Sequence, residues 1–216
     1  MEILNTFQYS NQRLYKWALA FAVFTIVYNI AEGLVSTLLG FEDGSLTLFG
    51  FGADSFIEVI SGFGIAHMVV RTQRNENSKR DDFERTALKV TGYSFYILAA
   101  GLVITSAYNI YTNHNPTTTF FGIIISLISI IVMWALMYGK KRVGNALNSE
   151  AILADAQCTR VCIYMSLILL VSSGIYELTQ VPYIDSIGTL ALSWFAYKEG
   201  KECFEKVKSN KNCSCC

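Results

Sequence analysis

Long apolar runs broken by short polar connections set the pattern of this chain, and six of them can be counted. They cover roughly residues 17–39, 45–71, 87–111, 120–138, 151–176 and 183–197. About 20 residues at about 1.5 Å each cross a hydrocarbon core, so each run has close to the length of a spanning helix. An amphipathic start, MEILNTFQYSNQRLYK, leads into the first run, and GFEDGS is the tight acidic connection to the second. Only two prolines occur, Pro116 and Pro182, both in connections, so no helix interior is broken. The pattern predicts an all-α integral membrane bundle of six transmembrane helices. It places a six-span transmembrane domain over residues 1–200 and a short cysteine-containing tail over 201–216.

Charge orients the bundle. Arg13 and Lys16 precede the first run, and Arg71, Arg74, Lys79, Arg80, Arg85 and Lys89 lie between the second and third. Lys140, Lys141 and Arg142 follow the fourth, and Lys198, Lys201, Lys206, Lys208 and Lys211 follow the sixth. The other three connections carry no Lys or Arg, so the positive-inside rule puts both termini in the cytoplasm of a multi-pass protein of the inner (plasma) membrane. At 216 residues, 52% hydrophobic and zero formal net charge, the composition suits one membrane domain and gives no electrostatic pull on nucleic acid. The first run is too long for a cleavable signal peptide and lacks a small-residue cleavage site.

Against this background the second run is unusual, because it carries Asp54 and Glu58 well inside the apolar stretch. Four residues apart, they lie on one helix face about one turn apart. A charge near mid-bilayer costs about 3 kcal/mol even on lenient insertion scales, and such residues mark sites or pathways more often than packing. The fifth run, SEAILADAQCTRVCIYMSLILLVSSG, carries a second polar stripe: Asp155, Cys158 and Cys162 at i, i+3 and i+7. Arg160 is the one basic residue inside a run and lies on a different flank. Entering from opposite sides, the two helices bring Asp54–Glu58 and Cys158–Cys162 to similar depth. Two carboxylates and two thiols suit a four-coordinate site for zinc or a softer ion rather than Mg²⁺ or Ca²⁺. Asp155 would support the ligands, and Arg160 or retained protons would offset excess negative charge. The competing reading makes the cysteines small apolar packing residues and Arg160 an ion-pair partner.

These residues carry a family resemblance. DSFIE in the second run is similar to the acid-x-x-x-acid pair of the cation diffusion facilitator (cation efflux) family. ILADAQCTRVC resembles that family's A-D-x-x-H-x-x-x-D segment, with Cys158 at the His position and Cys162 at the Asp position. IDSIGTLALSWFAYKEG resembles its aspartate-led last helix. The resemblance covers most of residues 17–200 and is closest to a short bacterial branch without a C-terminal cytoplasmic domain; a His-rich loop is also missing. It implies one tetrahedral metal site from the second and fifth helices, used for proton-coupled export by a homodimer.

Other polar residues have more than one reading. Asn29 and Glu32 share a face of the first run and either line an exit route or bond a neighbouring helix. Asp185 reads as an interfacial cap, His67 as interfacial, and His114 as a turn residue without a partner. Ala99, Ala100 and Gly101 allow close helix contact, as at a dimer face. Cys213, Cys215 and Cys216 suit either soft-metal capture in the reducing cytoplasm or an inert tail. The expected function is a divalent transition-metal transporter with protons as counter-substrate and no permanent cofactor. The alternative is a membrane-embedded metal or proton sensor or scaffold. No loop holds a nucleophile–base pair, so an enzyme is not expected.

Overall fold

The computed structural model describes residues 2–74, 82–112, 115–181 and 183–209. Six helices account for them: α1 (Glu2–Asp43), α2 (Leu46–Arg74), α3 (Asp82–Thr112), α4 (Phe120–Ala146), α5 (Glu150–Thr179) and α6 (Ile184–Ser209). The all-α architecture is as the pattern predicts, with three differences. Five helices, α1 to α5, are long and apolar enough to cross a membrane, whereas α6 is not, because charge follows directly after Tyr197. The GKKRVGNA stretch, expected as a connection, is the final part of α4. The boundary expected at residue 200 falls inside α6, which continues to Ser209. His114 and the tail cysteines Cys213, Cys215 and Cys216 lie outside the described residues.

The helices pair as α1 with α2, α3 with α6 and α4 with α5, and α2 also touches α3, α5 and α6. Helix α2 is therefore central. Small residues let α1 and α2 pack backbone to backbone: a Cβ on Gly40 would sit 2.5 Å from the Phe49 nitrogen, and one on Gly52 2.5 Å from Thr37 Oγ1. The turn between them needs Gly44, whose φ of 72° is left-handed. Between α4 and α5 the turn passes through Asn148 at φ 47°, and Ser149 then caps the Ile152 N–H.

Polarity is arranged for lipid. Large apolar residues such as Ile97, Ile131, Trp134 and Leu178 face outward. Hydroxyls face inward and bridge helices: Ser166 Oγ lies 2.9 Å from Ser129 Oγ, and Ser193 Oγ donates to the Ala99 carbonyl at 2.9 Å. That bond places Ala99 against α6, while Ala100 and Gly101 stay exposed. A central apolar cluster of Leu48, Phe51, Leu102, Met165, Leu169 and Leu192 joins α2, α3, α5 and α6.

Candidate functional site

Glu58 is the junction of the interior polar groups. Its Oε1 accepts from Cys162 Sγ of α5 at 2.6 Å, and its Oε2 accepts from Asn29 Nδ2 of α1 at 2.8 Å. One carboxylate thus ties three helices together. Asp54 lies one turn away on the same face and is 4% exposed. Two cavities flank this row. The larger, about 80 Å³, lies among α2, α3, α5 and α6 and is bordered by Asp54, Glu58 and Cys158. The smaller, about 50 Å³, lies among α1, α2, α4 and α5 and is bordered by Asn29, Glu58, Cys158 and Cys162. Glu58 and Cys158 border both. At about 10–15 Å³ per water, either cavity has room for a partly hydrated ion.

Glu58 and Cys162 are thus brought into direct contact, while Asp54 and Cys158 stand on the cavity walls. Among the described residues, no three His, Cys, Asp or Glu side chains gather at metal-ligand spacing. Glu32 accepts from Tyr28 Oη at 2.9 Å and from Ser55 Oγ at 3.1 Å, so it bonds α1 to α2 rather than standing alone. Arg160 is half-buried on α5 and borders neither cavity. His67 packs its ring 4.8 Å from that of Phe83.

The basic partner in the interior is Lys140, which the charge pattern assigns to the cytoplasmic connection. It is 1% exposed, and its Nζ donates to Asp155 Oδ1 at 2.8 Å and to Thr159 Oγ1 at 2.9 Å. The correction follows from the length of α4: the helix runs on past Gly139, so Lys140 turns inward onto α5. Asp155 accordingly is bound to Lys140. A buried cation leaves a recognisable hint, a lysine directly after an apolar run and an aspartate one turn into the next helix. Helix α6 also reaches the larger cavity, with Glu199, Cys203 and Lys206. Glu199 and Cys203 share a face at i, i+4, which their charged surroundings in the sequence hide.

Asp185 is a cap, as expected, but of α2. It is 3% exposed and accepts from Ser45 Oγ at 2.7 Å, the Leu46 N–H at 2.8 Å and the Thr47 N–H at 3.4 Å. A carboxylate there satisfies the free N–H groups of the first turn and complements the helix dipole.

Five membrane-length helices make this a multi-pass membrane protein, with acids and thiols bordering its interior cavities. The cation efflux transmembrane domain matches residues 18–208, nearly the whole described bundle, and the chain belongs to the cation efflux family.

Proposed function

We propose that this chain carries a divalent transition-metal cation, zinc-like or softer, out of the cytoplasm across the inner (plasma) membrane in exchange for protons, as a homodimer. The observation that carries the reading is the Cys162–Glu58 hydrogen bond at the wall of the smaller cavity, with Glu58 also bordering the larger one. A thiol proton shared with a carboxylate is what a metal must displace, because thiols and acids bind metal deprotonated. In the metal-loaded state Asp54, Glu58, Cys158 and Cys162 close around the ion, with Zn–O near 2.0–2.2 Å and Zn–S near 2.3 Å. Asn29 orients Glu58, and Asp155 supports the α5 ligands from behind. Release of the ion to the far side lets the thiol and carboxylate take up protons there. Rocking of the α2–α5 pair against the other helices would expose the site to each side in turn. The tail residues Cys213, Cys215 and Cys216 raise the local supply of scarce metal.

The test is metal flux in vesicles holding the purified protein, with zinc or cadmium on one side and an imposed pH gradient. Flux should follow the proton gradient and vanish in Glu58→Gln. Flux indifferent to the gradient would refute the coupling, and binding without any flux would favour a sensor or scaffold.

A further inference from the structure

Lys140 has no part in the mechanism above, yet it is paired with Asp155 in the wall of the ion's cavity. Lys140, Asp155 and Thr159 border the smaller cavity together with Glu58, Cys158 and Cys162. The two charged side chains are 1% and 5% exposed and 2.8 Å apart. Thr159 Oγ1 bonds both the Lys140 ammonium and the Asp155 carbonyl, which fixes Lys140 of α4 against α5. Asp155 also lies on the same stripe as Cys158 and Cys162, one turn before the first thiol. A carboxylate at that place is a hard oxygen donor within reach of the cavity, held by an internal cation.

We propose that Lys140 is a specificity-determining residue: its ammonium occupies Asp155, so that this hard oxygen donor stays out of the ligand set and the ion meets a thiol-rich one. This inference rests on the ligand assignment of the previous subsection. Donor softness sorts divalent ions: thiolates favour Cd²⁺ and zinc-like ions, whereas added carboxylate favours hard ions such as Mn²⁺. Removing Lys140 leaves an uncompensated buried carboxylate beside the cavity, which a divalent cation can neutralise in competition with a proton.

Equilibrium binding of Cd²⁺ and Mn²⁺ to the purified full-length protein, under reducing conditions and with Cys213, Cys215 and Cys216 changed to Ser, tests this. Lys140→Met should improve Mn²⁺ binding relative to Cd²⁺ by at least about tenfold, the least expected from one unscreened charge near a divalent ion. Lys140→Met with Asp155→Asn removes both charges and should restore the parent ratio, as should Lys140→Arg. An unchanged ratio in Lys140→Met, or a shift that persists in the double variant, overturns the proposal. If Lys140→Met does not fold, Asp155→Asn alone serves. It leaves the ammonium unpaired beside the thiols and should weaken Cd²⁺ by at least about tenfold, and unchanged Cd²⁺ affinity overturns the proposal. Glu58→Gln in the same assay separates the two readings, since undiminished Cd²⁺ binding there refutes the ligand assignment itself.

Discussion

Two pairs of acids in this bundle, Asp185 with Glu177 and Asp54 with Glu58, differ in what their oxygens meet, although Asp185 and Asp54 are equally withdrawn from solvent at 3% and 4% exposed. At one end, Asp185 accepts from a hydroxyl and two backbone N–H groups at the start of α2. Glu177 likewise accepts from the Thr118 hydroxyl and the Thr119 N–H at the start of α4. Both are fully used as helix caps, and their charge is absorbed by the helix dipole. In the middle of α2, Glu58 meets an amide and a thiol, and both it and Asp54 open onto a cavity. No backbone N–H is available there, because mid-helix donors are already spent. Burial therefore does not separate the capping acids from the proposed ligands here. The kind of donor does, since capped acids are saturated and mid-helix acids remain open to a cation.

Substitution should split the pairs most sharply. Asp54→Asn and Glu58→Gln are each expected to abolish metal flux while leaving insertion intact, since removal of a buried charge eases insertion. Asp185→Asn should do the reverse, lowering stability by about 2 kcal/mol while flux per folded molecule persists. Vesicle flux combined with thermal unfolding measures both, and an Asp185→Asn protein that is stable but inactive would erase the distinction.

The pH dependence comes next in size. Each proton displaced by the metal makes affinity rise about tenfold per pH unit below the ligands' titration range. Affinity should thus fall as the pH is lowered, with a slope above one if both Glu58 and Cys162 give up protons. Binding isotherms over a pH series read that slope, and a flat profile would mean that the thiol and acid do not participate.

A smaller effect is expected from ligand softness. Cys158→His with Cys162→Asp should move preference from Cd²⁺ toward Zn²⁺ by about tenfold in a competition assay. An unchanged ratio would return both cysteines to a packing role. The smallest effect belongs to the tail. Deletion after Ser209 should keep maximal flux and lower only the efficiency at scarce metal, whereas complete loss would make the tail structural.

Much of the fold was legible in the run lengths: six helices, with boundaries within a few residues for α2, α3 and α5. The spacing alone placed Asp54 and Glu58 on one face, and both border the larger cavity. What escaped was the use of charge near helix ends. Lys140 reads as one of a cytoplasmic cluster of Lys140, Lys141 and Arg142, yet α4 continues to Ala146 and turns only Lys140 inward. A long alkyl stem can carry its ammonium in either direction, so sequence position does not decide it. Glu199 and Cys203 were hidden in the same way, by the charged second half of α6. Asp185 was readable as a cap because it opens α6. That it caps α2 depends on packing between segments about 140 residues apart, which local pattern does not encode.

The most direct test of the site is the ultraviolet sulfur-to-metal charge-transfer band on Cd²⁺ addition to the full-length protein with Cys213, Cys215 and Cys216 changed to Ser. The account predicts a band from two thiolates, lost in Cys158→Ser with Cys162→Ser and strongly weakened in Glu58→Gln. A band of unchanged intensity in those variants, or none in the parent, would contradict it.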